Sequence, residues 1–239
     1  MVSTDRLASM LKKHGEPENA KLVSREEAAN YKGRLPNALL DFWVNHGRGS
    51  YLNGFWWICD PAPFKPVIDA VFADDAEFDP KDMLVVSYNA FGELFVWHPV
   101  HKRISIDPLS MTIFCPPAKS FQEANGDWFD DDFIIGGTIS MGLRLGSVDD
   151  EKGEDLFPPA LAKLGPLSAG EIYGFAPTLN LGGARRIENV VKVKAVEYLG
   201  IMAQFERLIV TRLTPPAPPA FPYGRTERVR TLGPQNQPD

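Results

Sequence analysis

Apolar residues recur along the chain with two different periods, and the change of period divides it. Leu7, Met10 and Leu11 stand at helical spacing and stop at Gly15, which predicts a first helix capped by Thr4 or Asp5. Ser24-Arg25-Glu26-Glu27 has the form of a capping box, opening a short helix that Gly33 ends. Leu35-Pro36 precedes Leu39, Leu40, Trp43 and Val44 and then Gly47, with Pro at the first turn and Gly past the end. Tyr51 to Ile58 is aromatic and apolar throughout and predicts a buried strand. From Asp60-Pro61 onward Phe64, Val67, Ile68, Val71 and Phe72 mark one face of a further helix.

The period shortens at Asp82. Met83–Tyr88, Glu93–His98, Arg103–Asp107 and Met111–Cys115 are short strand-like runs separated by turn residues, which predicts an antiparallel meander. Helices on both sides of such a meander argue for an α+β fold and against a doubly wound sheet. Residues 118–141 are expected to be mostly helical. The charged stretch GSVDDEKGED at 146–155 makes the best internal boundary. Beyond it come a helix near Ala160–Leu164, an extended run Glu171–Pro177, the turn Leu181-Gly182-Gly183, and a last helix through Ala195, Leu199, Met202 and Ala203. Residues 215–239 hold seven of the 21 prolines and few large apolar residues, so a flexible or polyproline-like tail is expected. The expected units are therefore 1–145, 146–214 and a tail over 215–239.

Composition changes this picture little, whereas charge changes it more. With 239 residues, 44% of them hydrophobic, the chain is long enough to bury a sizeable core. It has no apolar run of membrane-spanning length and no secretory h-region, so a cytoplasmic location is expected. The net charge of −6 is unevenly spread. Residues 60–155 carry −12, while 1–59, 156–214 and 215–239 carry +2, +3 and +1. Such a field repels nucleic acid and attracts basic partners.

Candidate chemistry is sparse. His98-x-x-His101 straddles Pro99 at a strand end with no third ligand close in sequence, so a polar turn accounts for it and no metal is expected. Cys59 and Cys115 sit in apolar runs without a basic neighbour, as small buried hydrophobes do. His46 closes a helix, where its ring suits the last carbonyls. Neither Gly136-Gly137 nor Gly182-Gly183 belongs to a phosphate loop or a dinucleotide fingerprint, and no cofactor is expected. The acids Asp74-Asp75 and Asp130-Asp131-Asp132 lack the calcium-loop pattern. Solvated charge explains them most simply. The alternative is a recognition surface, with Trp128 and Phe129 as aromatic anchors beside the triad.

Two stretches carry a resemblance. Leu35-Pro36-x-x-Leu39-Leu40-x-Phe42-Trp43 leads through Gly47-x-Gly49-x-Tyr51 to Gly54-Phe55-Trp56-Trp57 and Asp60-Pro61, and this resembles the GAD-like domain. Tyr173-Gly174-Phe175-x-Pro177, Leu181-Gly182-Gly183 and Glu197-Tyr198-Leu199-x-Ile201-x-Ala203-Gln204 resemble the C-terminal domain of Tdi-type immunity proteins. In that family the two domains follow one another. The resemblance implies an antitoxin that binds and neutralises a cognate DNase effector of a type VI secretion system, without catalytic residues of its own. It implies an architectural role for Leu35, Pro36, Trp43, Gly54, Gly182 and Gly183. The partner expected is a DNase with a basic DNA-binding face, met through Asp74, Asp75, Trp128, Asp130, Asp131 and Asp132. Two other readings stay open: an enzyme with a pocket near His46 and His98, and a housekeeping protein-binding module.

Overall fold

A computed structural model describes residues 6–73, 75–115, 130–141, 148–205, 207–214 and 225–232. Helix α1 (Arg6–His14) buries Leu7 and Met10 and ends at Gly15, as its spacing predicts. Strand β1 (Glu18–Lys21) leads to α2 (Arg25–Ala29), where the Glu27 backbone N–H donates to Ser24 Oγ at 3.0 Å. A cap of this kind stabilises a helix by about 1 kcal/mol. Helix α3 (Asn37–Asn45) starts after Pro36 and buries Leu39, Leu40, Phe42 and Trp43.

The aromatic run Tyr51–Ile58 is not one strand. It is a hairpin of β2 (Arg48–Tyr51) and β3 (Trp56–Ile58), because Leu52, Asn53 and Gly54 all take left-handed backbone conformations between them. Trp57 Nε1 donates to the Gly54 carbonyl at 2.9 Å and ties this turn to the strand that follows. The helix expected from Asp60 begins as a single 3₁₀ turn and becomes α4 (Lys65–Val71) only at Lys65.

The meander is present as β4 (Leu84–Asn89), β5 (Leu94–His98), β6 (Lys102–Asp107) and β7 (Thr112–Phe114), each antiparallel to the next. β4 and β5 are buried along their whole lengths, whereas β6 buries Ile104 and Ile106 and leaves alternate positions partly exposed. Beyond the meander come α5 (Asp131–Met141), α6 (Phe157–Leu164), the strand pair β8 (Glu171–Phe175) and β9 (Val190–Lys194), and α7 (Ala195–Phe205).

The chain then returns to its first sheet. β10 (Leu208–Thr214) lies parallel to β7, with Val210 opposite Ile113, and β11 (Arg225–Leu232) pairs antiparallel to β10. The sheet therefore has nine strands in the order β1-β2-β3-β4-β5-β6-β7-β10-β11. This corrects the expectation for the last segment, because residues 225–232 are a paired strand and not tail. The prolines of that segment lie at or before Pro222 and from Pro234 onward, and the octet between them keeps every backbone N–H a ladder needs.

One hydrophobic core runs through the described residues, from Leu7 to Val210. Phe157 of α6 meets Phe55 edge to face at 5.1 Å, and Phe91 packs against Tyr173 and Phe175 of β8. The Tyr173 N–H donates to the Ala90 carbonyl at 2.7 Å, and the Gly170 N–H to Tyr88 Oη at 2.8 Å. The residues after 148 are thus stitched onto the β4–β5 turn, and α7 covers Leu94 and Ile106 together with α4. No described helix is long and apolar enough to cross a membrane.

Candidate functional site

The acidic triad sits where α5 begins, and each member faces a different element. The Phe133 N–H donates to Asp130 Oδ1 at 2.8 Å, so Asp130 caps its own helix. Asp131 pairs with Lys102 of β6 at 2.8 Å. Asp132 reaches across to α3, where its Oδ1 accepts the Ala38 N–H at 2.9 Å. Carboxylates at helix N-termini are stabilised by the exposed N–H groups and the helix dipole. Trp128 and Asp74 lie outside the described residues.

Asp75 has a different setting. Its side chain is only 4% exposed and binds Arg230 of β11, with Arg230 Nη2 at 2.9 Å from Oδ1. The Glu77 and Phe78 N–H groups also donate to Oδ1, both at 2.9 Å. Burial alone raises this carboxyl's pKa. The Arg230 guanidinium and the two backbone donors outweigh it and hold the carboxyl below the ordinary carboxylate range. Glu77 next to it binds Arg230 at 3.0 Å, Arg212 of β10, and His101 Nε2 at 3.4 Å. It too is held low by its arginines against the pull of burial. Arg230 also lies over the Phe78 ring at 5.3 Å. The carboxylates after α4 therefore fasten the last two strands to the body.

The histidine pair belongs to the same region. His98 Nδ1 accepts the N–H groups of Val100 and His101 at 3.1 and 3.0 Å, so this ring nitrogen closes the β5–β6 turn. Burial, with His101 beside it, pushes the His98 pKa down to about 4. Among the described residues no group of three or more His, Cys, Asp or Glu side chains is placed to hold a metal ion. Cys59 and Cys115 are both buried free thiols, and burial pushes the Cys115 thiol up to about 11.

A groove of about 320 Å³ opens between α1 and α3. Leu7, Ala8 and Leu11 form one apolar wall, and Ala38 and Phe42 the other. Its polar edge is Asn37, Asp41 and Asn45, one turn apart along the exposed side of α3, with Asp132 and His46 beside them. His46 Nδ1 sits 2.8 Å from Glu16 Oε2. This groove includes His46 but not His98, so the two do not share it. The stripe Asn37–Asp41–Asn45 was legible as the polar face of an amphipathic helix, but nothing in its spacing set it apart from ordinary solvated surface.

The residues expected to be architectural have several settings. Leu35 and Trp43 are buried, and Pro36 precedes the first turn of α3. Gly182 adopts φ 83° at the end of a 3₁₀ turn, and a Cβ on Gly183 would fall 2.0 Å from the Pro177 carbonyl oxygen. Only glycine fits there.

Comparison with known proteins follows the same division. Residues 5–109 match the family described as GAD-like domain, and residues 145–206 match the family described as T6SS immunity protein Tdi1, C-terminal. Among solved structures the chain is similar to the crystal structure of Atu4351 from Agrobacterium tumefaciens. Identity there is 26% and the TM-score 0.80, over 99% of this chain and 100% of that one. No curated protein matches the chain. The two matches stand in the order that the motifs of residues 35–61 and 173–204 imply, a match to the GAD-like domain followed by a match to the C-terminal domain of a type VI secretion immunity-protein family.

Proposed function

We propose that this protein neutralises a cognate nuclease effector of a type VI secretion system by forming a stoichiometric complex with it. The observation that carries the reading is the match of residues 145–206 to the immunity family. Similarity to one solved structure over nearly the whole chain supports treating both segments as one functional body. A DNase holds phosphates and so presents a basic face. A chain whose residues 60–155 carry −12 is suited to meet such a face quickly and selectively. Inhibition then follows from occupancy: the effector's DNA groove or catalytic centre is covered, and no bond is made or broken by the immunity protein. The exchange takes place where the chromosome is, in the cytoplasm.

The test is a titration of the cognate nuclease effector with this protein. Cleavage of plasmid DNA should vanish at about one equivalent, with a Kd in the nanomolar range or tighter, about 12 kcal/mol of binding. Complete inactivation by a small fraction of an equivalent would mean that the protein acts on the effector as an enzyme, and the binding mechanism would be abandoned.

A further inference from the structure

We infer that the groove between α1 and α3 receives a basic side chain, arginine or lysine, projecting from the effector; this rests on the neutralising complex proposed above. Most carboxylates of the described acidic segment already have partners within the chain. Asp75 and Glu77 hold Arg230 and Arg212, Asp131 holds Lys102, Asp69 holds Lys65, and Glu151 holds Arg186. Asp130 and Asp155 accept backbone N–H groups of the helices they begin. Asp41, outside that segment, lines the groove from α3, exposed and, among the described residues, with neither a hydrogen bond nor an ion pair. Asp132 faces the same opening, bound through Oδ1 to the Ala38 N–H and forming no ion pair.

Ala38 and Asp41 are separated by one turn of α3, so their side chains begin about 5–6 Å apart. Asp132 is held at the Ala38 N–H, and the two carboxylates therefore line the same groove. Among the described residues no lysine or arginine lines this groove, and the one other titratable side chain there, His46, faces Glu16. Beneath the carboxylates lie Leu7, Leu11 and Phe42. A long basic side chain has both parts this surface asks for: an aliphatic stem for the floor and a cationic head for the rim.

The neighbouring depressions do not share this chemistry. On the far side of α1 the lining is Arg6, Ser9, Met10, Lys13, His14 and Ser140, without a carboxylate. On the far side of α3, Arg25 and Lys32 outnumber Asp41, which borders both depressions. Charge complementarity thus assigns the α1–α3 groove to a cation and separates it from the surfaces around it.

The experiment measures association of the full-length protein with its nuclease effector by surface-binding kinetics at two ionic strengths. Asp41→Lys is compared with Glu197→Lys, which makes the same charge change at an exposed, unpaired position on α7. The expected result is a fall of tenfold or more in association rate at low salt for Asp41→Lys, against less than twofold for Glu197→Lys. Circular dichroism should show both folded; if Asp41→Lys is not, Asp41→Asn is measured in its place, with a smaller loss of the same kind. Restoration of Asp41→Lys binding by an Arg→Glu or Lys→Glu change on the effector would identify the inserted side chain. Equal losses for the two lysine variants, or none for either, overturn the groove assignment while the complex itself stands. Absence of wild-type binding overturns the functional reading and the groove together. Self-association of the free protein that Asp41→Lys abolishes would give the groove to a second copy and overturn the effector as its occupant.

Discussion

Asp75 with Glu77, and Asp41 with Asp132, are two pairs of carboxylates on one small protein, and they have opposite surroundings. The first pair is covered by β10 and β11, and Arg212 and Arg230 meet it from those strands. The second pair borders an open groove, and among the described residues no arginine or lysine lines it. A carboxylate that the chain itself neutralises fastens the fold, whereas one left facing a groove is available to another molecule. The same residue type therefore serves stability in one place and recognition in the other, and what separates the two is where the basic side chains of the last strands come to rest.

Several changes would break or sharpen this contrast. The largest effect is expected at the fastened pair. Asp75→Ala leaves Arg230 facing Glu77 alone and two backbone N–H groups without their acceptor, and should destabilise the fold by about 3 kcal/mol or more in urea unfolding. Asp41→Ala, its counterpart at the groove, should stay within about 0.5 kcal/mol of wild type. Hydrogen exchange in residues 225–232 should quicken in the first variant and not in the second.

Acid should act on the same region with a comparable size. Asp75 and Glu77 are held below their ordinary values, so their contribution is present above the carboxylate range and disappears as they are protonated below it. His98 adds to this. Its pKa is about 4 when folded and 6.5 when free, so between those values the unfolded chain takes up a proton that the folded one refuses. Stability should fall as pH drops from 6.5 to 4, by at most about 3 kcal/mol. His98→Asn, which keeps an acceptor for the Val100 and His101 N–H groups, should flatten the profile in that window. An unchanged pH slope would remove His98 from the account.

Glu93 tests the opposite sign. Burial, reinforced by Asp107 and partly offset by Arg103, raises its pKa to about 7. The folded state therefore holds a proton that the unfolded state releases between pH 4.5 and 7, and the charge becomes a cost as pH rises. Glu93→Gln, still able to accept from Asn89 Nδ2, should raise stability by about 1 kcal/mol at pH 8 and leave it unchanged at pH 4. Thermal melting at the two pH values decides the matter. Only Asp41 should matter less than Asp132: Ala at Asp132 should cost about 1 kcal/mol through the lost Ala38 contact, and Asn nearly nothing, since it keeps an acceptor oxygen.

The meander, α1, α2 and α3 were legible because each carries a local signal: a period, a capping serine, a proline before the first turn. Three features were not. The hairpin inside Tyr51–Ile58 turns on left-handed Leu52, Asn53 and Gly54; Asn53-Gly54 is a turn signal, but it stands inside an otherwise aromatic and apolar run, and Leu52 gives no notice of that conformation. Strand β11 was hidden by the prolines around it, and its partner β10 is supplied by the sheet. Local composition cannot report a pairing made at long range. At the candidate site, the acidic bias of residues 60–155 was visible, but not which acids the fold neutralises. That depended on Arg212 and Arg230, arginines far along the chain from Asp75 and Glu77.

The parallel pairing of β7 with β10 also bears on how the molecule is made. β7 ends at Phe114 and its partner begins at Leu208, so during synthesis on the ribosome the growing sheet keeps a bare edge at β7 until the residues from Leu208 onward have emerged. Neither family segment, 5–109 or 145–206, includes β7, β10 or β11, and yet those strands close the sheet that the first segment begins. A nascent chain released at residue 206 would display an unpaired β7 and two carboxylates without their arginines, an invitation to pair with other chains. β10 and β11 thus make the sheet a check on the reading of the chain: it is sealed only in a chain that has been read through to Leu232.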